Sequence, residues 1–97
     1  MKLPGKHTNT GRVLRAMYGK GWLTAGEIRK AARMHPDTAV TARIRDLRHI
    51  PGVDLPPAEV RKNAAGGRSY YYHIARLSPR VRAELKWWRE VERRAAA

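Results

Sequence analysis

Apolar residues fall in short clusters separated by glycine, proline and charge, and the spacing inside each cluster changes along the chain. Val13, Leu14 and Met17 share one side of a 3.6-residue turn, which predicts a helix from a cap among Thr8, Asn9 and Thr10 through Tyr18, stopped by Gly19 and Gly21. Trp22 and Leu23 make an apolar pair of strand-stub length. Thr24-x-x-Glu27 fits a capping box, in which hydroxyl and carboxylate each satisfy a backbone donor, so a second helix starts there. It buries Ile28, Ala31 and Ala32, turns Arg29, Lys30 and Arg33 outward, and ends near Met34, because Pro36 disfavours helical geometry at His35. A third helix is expected over 36–49, with Pro36 in its first turn and Asp37 at the positive end of its dipole. Val40, Ile44 and Leu47 lie within about 60° of one another on it. Thr38, Thr41, Ala42, Arg45 and His49 point away from that stripe, and Arg48 lies at its flank.

Pro51 and Gly52 end that helix, and two β-prone runs around the Gly-rich segment 63–67 predict a hairpin. Period-2 alternation puts Tyr70, Tyr72 and Ile74 on one face and Tyr71 and His73 on the other. Such tyrosines cover a core with one face; stacking on unpaired bases is their other use. Ser78 and Pro79 open a last helix, with Val81, Leu85 and Trp88 as its apolar stripe, flanked by Trp87 and Val91. That stripe packs either on the first helix or on a second copy, so these five residues are the candidate packing or homodimer surface. The expected organisation is a flexible basic arm over 1–7, a domain over 8–76 and an amphipathic helix over 77–97.

Charge changes the picture more than length does. At 97 residues the chain makes one small domain, without room for a cleft between two. Lys and Arg number 21 against 8 Asp and Glu, a formal +13, which calls for a polyanionic partner. The cations divide almost evenly between the two halves of the chain, so the charge coats a fold and is not confined to a tail. Absence of cysteine excludes disulfides, thiolate zinc sites and thiol nucleophiles. No apolar run reaches signal-peptide or membrane-spanning length, and a soluble, cytoplasmic protein is expected. The four histidines lack paired metal-ligand spacing, and Gly19-Lys20-Gly21 lacks the phosphate-loop spacing. Neither an enzyme, a metal, a cofactor nor a small-molecule substrate is expected.

The order helix, short strand, helix, helix, hairpin gives an α+β class, mainly α. The stretch Trp22-Leu23-Thr24-Ala25-Gly26-Glu27-Ile28 through Thr41-Ala42-Arg43-Ile44-Arg45-Asp46-Leu47-Arg48 resembles the helix-turn-helix of winged-helix DNA-binding proteins. It is particularly similar to the small ones of bacteriophage and prophage genomes, whose Ala-Arg-Ile-x-Asp-Leu-Arg signature leads into the wing. The likeness covers roughly residues 10–75, and Arg33 stands where many such motifs carry the glycine of the turn. The resemblance implies a winged helix-turn-helix with a hairpin wing and an added C-terminal helix, bound to double-stranded DNA as a regulator of transcription or an accessory factor of recombination or replication. It places Thr38, Thr41, Ala42 and Arg45 at base edges in the major groove. Arg43 and Arg48, with Arg61, Lys62 and Arg68 of the wing, then fall to phosphates. Two other classes stay open: an RNA-binding protein that uses the tyrosine run, and a protein-interaction module that docks on a host or phage enzyme.

Overall fold

The computed structural model describes Gly5, residues 8–35 and residues 39–96. Thr8 opens helix α1 (Asn9–Met17): its hydroxyl accepts from the Gly11 amide at 3.1 Å and donates to the Gly5 carbonyl at 2.6 Å. Apart from Gly5, the expected N-terminal arm lies outside the described residues. Val13, Leu14 and Met17 are sealed from solvent on one side of α1, as their spacing requires.

Strand β1 (Leu23–Thr24) runs directly into helix α2 (Ala25–Ala31). The capping box is complete. Thr24 Oγ1 accepts from the Glu27 amide at 3.2 Å, and the Glu27 carboxylate accepts from the Thr24 amide at 2.9 Å. Of the residues expected to be buried on this helix, Ile28 and Ala32 are buried but Ala31 is exposed. The reason is angular: Ala31 lies 300° on from Ile28, at the edge of a helix face that Ile28 and Ala32 already fill. Arg33 follows at φ +53°, and the amides of Arg33 and Met34 donate back to the carbonyls of Lys30 and Arg29, both at 3.1 Å. This is a Schellman end with a left-handed arginine in the position glycine usually takes, at a cost of about 1–2 kcal/mol.

Helix α3 (Val40–Arg48) begins later than the 36–49 span expected. Its N-cap residue, Ala39, is extended (ψ 97°) and has no side-chain oxygen to cap the helix. Pro36, Asp37 and Thr38 lie outside the described residues. Val40, Ile44 and Leu47 are exposed by 1% or less.

Strand β2 (Val53–Asp54) follows, then the hairpin of β3 (Glu59–Lys62) and β4 (Arg68–Tyr72), then β5 (Arg76–Leu77) and the long helix α4 (Pro79–Ala96). The sheet order is β1-β4-β3, antiparallel throughout, with Leu23 opposite Tyr72 and Val60 opposite Tyr70. A separate two-stranded ladder pairs β2 with β5. It straddles the division expected between residues 76 and 77. The α4 residues Val81, Leu85 and Trp88 belong to the same core as α1, α2 and α3, so the last helix is part of one α+β fold.

Gly52 sits where the start of α4 approaches the end of α3. Its φ is +91°, and its carbonyl accepts from the Ser78 amide at 2.8 Å. A Cβ there would fall 2.5 Å from Ser78 Oγ and 2.9 Å from Val81 Cγ2. Gly52→Ala is expected to lower stability by about 2–4 kcal/mol, combining left-handed strain with overpacking, and a thermal melt checks it. The capping box makes a pH prediction. Hydrogen bonds from Thr24 hold the Glu27 carboxyl below its ordinary range. Its contribution is therefore full above the unfolded carboxylate's pKa and lost as pH falls through the lower folded value. The Tm difference between wild type and Glu27→Ala should narrow as pH drops from about 7 to 3, while Thr24→Ala at neutral pH costs about 1 kcal/mol.

Candidate nucleic-acid interface

Burial of one edge of α3 decides what its other side offers. Thr41, Arg45, Arg48 and His49 are exposed along a single arc, at i, i+4, i+7 and i+8. Ala42 borders this arc and is half-buried. Of the residues expected at base edges, Thr41 and Arg45 are thus fully presented, and Thr38 lies outside the described residues.

The two α3 arginines expected on phosphates are both engaged within the chain. Arg43 lies half-buried on the opposite flank, with its Nε 3.3 Å from an oxygen of Asp46, the local pairing that i,i+3 spacing favours. Arg48 donates from Nε to the Leu55 carbonyl at 3.4 Å and from Nη2 to that of Pro56 at 3.3 Å. Its guanidinium therefore ties the segment before the hairpin to the end of α3.

This tie orients the hairpin. Arg48, Leu55, Pro57, Ala58 and Tyr72 line one open cleft, so the Tyr72 face of the hairpin turns toward the C-terminal end of α3. Alternation and register then put Val60, Lys62, Arg68 and Tyr70 on that same face, and Glu59, Arg61, Ser69 and Tyr71 on the reverse. Tyr72 packs against the core, whereas Tyr70 is 50% exposed, so the tyrosine face expected to cover the core does so only at its base.

Arg61 and Lys62, neighbours in sequence, have different surroundings. Arg61 donates to Glu59 at 2.9 Å and stacks over the Tyr71 ring at 4.2 Å. The Glu59 hydrogen bond, with help from Tyr71, raises its pKa and fixes its charge inside the hairpin. Lys62 and Arg68 face each other directly across the strands. Like charges so placed are destabilising, and a shared anion relieves them. The tip between them is closed by its own hydrogen bonds: Asn63 Oδ1 accepts from the amides of Ala65 and Gly67 at 3.0 and 2.9 Å. Sequence reasoning grouped Arg61 with Lys62 and Arg68 and missed this pairing, although the length of the 63–67 turn makes 62 and 68 its closing pair.

The candidate dimer stripe is used internally. Val81, Leu85 and Trp88 are buried, Val91 is half-buried, and only Trp87, 55% exposed, stands outside. Arg89 holds α4 to α1, donating to the Tyr18 carbonyl at 3.0 Å and stacking over its ring, and Glu92 pairs with Arg15. Among the described residues no three metal-ligating side chains come together, and no helix is long and apolar enough to cross a membrane.

No protein-family model, curated protein or solved structure matches this chain. Binding to an immobilised polyanion such as heparin separates the two sides of the hairpin. Lys62→Ala and Arg68→Ala should each elute at clearly lower salt than wild type, whereas the double variant Glu59→Ala/Arg61→Ala, which removes a neutral ion pair, should shift little. Equal shifts for all three variants would contradict the assignment of faces.

Proposed function

We propose that this protein is a winged helix-turn-helix that binds double-stranded DNA sequence-specifically, as a phage or bacterial transcription regulator or an accessory factor of recombination or replication. The observation that carries the reading is the exposed Thr41–Arg45 side of α3, together with the Lys62 and Arg68 face of a hairpin whose base meets the C-terminal end of that helix, in a chain of net charge +13. The order α1, β1, α2, α3 and a hairpin paired to β1 through β4 supports it.

Each part has a task that its chemistry fits. The small Thr41 lets the α3 backbone come close to base edges, and its methyl suits a thymine methyl. Arg45 supplies the planar fork that pairs with guanine O6 and N7, worth about 1–3 kcal/mol of discrimination. Lys62 and Arg68 neutralise phosphates beside the groove and set register without reading sequence. Arg48 acts indirectly, by fixing the hairpin against α3.

Selection from a random duplex library, followed by binding titrations, tests the reading. With about 6–10 phosphate contacts, affinity should fall by about 10³–10⁵ between 50 and 200 mM salt. Arg45→Ala should weaken the selected site by about tenfold or more while random duplex loses far less, whereas Lys62→Ala should weaken both alike. Equal losses on both DNAs from Arg45→Ala would remove the base-reading role. A strong preference for structured RNA at matched salt, or a stoichiometric protein partner without salt-sensitive DNA binding, would replace the proposal.

A further inference from the structure

Away from the α3 arc and the hairpin, three arginines line one groove. It lies between α1, the turn after α2 and the C-terminal part of α4, with a volume of about 740 Å³. Arg12 and Arg15 come from α1 and Arg33 from the turn, over a floor of Ala16, Ala31 and Ala32. Glu92 is the one carboxylate among the lining residues, and it is paired with Arg15. Three guanidinium groups therefore stand against one negative charge.

Two features set these arginines apart from the rest of the basic surface. The Arg15 side chain is only 24% exposed, and burial, then the neighbouring charge of Arg12, lowers its pKa. Arg33 occupies the left-handed position of the turn. The turn itself uses only backbone groups of that residue: its amide donates to Lys30, and its carbonyl accepts from Arg12 Nη2 at 3.3 Å. Glycine would make the same bonds with less strain, so the arginine side chain has no structural duty there. What it adds is a third cation at the rim of the groove. Short alanine side chains leave the floor open, and planar guanidinium groups match phosphate oxygens in pairs.

We propose that this groove is a phosphate-binding site in which Arg12, Arg15 and Arg33 supply the donors, the phosphate belonging to a nucleic-acid backbone or to a free phosphate compound. It shares no residue with the α3 arc or the hairpin, so it stands or falls independently of the base-reading proposal.

The test uses the full chain and two readouts at fixed pH. Inorganic pyrophosphate is titrated at constant ionic strength while the amide and guanidinium resonances of residues 12–16 and 31–34 are followed by NMR, and the salt dependence of duplex binding is measured in parallel. The variants are Arg12→Gln, Arg33→Gly, which keeps the left-handed turn, and Lys86→Gln, which removes an exposed charge from α4 outside the groove. Saturable pyrophosphate shifts are expected, with affinity at least about tenfold weaker in both groove variants and little changed in Lys86→Gln. Arg33→Gly should melt no lower than wild type, which separates lost binding from lost folding. A salt slope that falls by about 0.9 in each groove variant assigns the phosphate to the nucleic-acid backbone. Pyrophosphate affinity lost with an unchanged slope assigns it to a free phosphate compound. The proposal is overturned if neither readout moves in the groove variants, or if Lys86→Gln moves them as far.

Discussion

The orientation of α3 depends on a single buried line, Val40, Ile44 and Leu47, set against α1 and the end of α2. Each of these side chains contributes about 1.5–3 kcal/mol by leaving water. A slip of one residue about the helix axis, roughly 100°, would withdraw that line and press Thr41, Arg45 and Arg48 into an apolar core. Burial on one side therefore fixes exposure on the other. The surface of α3 is a consequence of its core, and its candidate chemistry inherits the rigidity of that packing.

The hairpin owes its placement to a second meeting point, where the end of α3, the β2–β5 ladder and the start of α4 converge. Gly52 accepts from Ser78, Val53 pairs with Leu77, and Arg48 clasps the carbonyls of Leu55 and Pro56. Because β4 also pairs with β1, the hairpin is anchored from both sides. Lys62 and Arg68 are thus held in a set relation to Arg45 before any ligand arrives, which reduces the ordering entropy that binding must overcome.

Local signals were legible in the sequence and non-local ones were not. Thr8, Thr24 and Ser78 announce helix starts because a cap and its amide lie within three residues of each other. The hairpin was readable from alternation around a glycine-rich turn. Strands β2 and β5 escaped because two residues carry no period, and their pairing joins segments more than twenty residues apart. The stripe on α4 showed that something covers it, without showing that α1 does. Alternation put Tyr70 and Tyr72 on one face correctly, but burial depends on distance from the core as well as on face. The α3 arc was legible from helical spacing, whereas the engagement of Arg43 and Arg48 depends on partners that spacing does not reveal.

The distribution of carboxylates explains why a general excess of positive charge becomes local. Asp46 pairs with Arg43, Glu59 with Arg61, Glu90 with Arg93 and Arg94, and Glu92 with Arg15. At physiological salt exposed charges are screened beyond about 8 Å, so each carboxylate moderates only its immediate neighbours. Arg45, Lys62 and Arg68 have no described carboxylate within ion-pair distance, and the last two face each other across a strand pair. Repulsion within the fold therefore persists where the acidic residues are not. A ligand that supplies negative charge there gains more than its own attraction, since it also removes strain the native state carries, and the same anion should raise the stability of the fold as it binds.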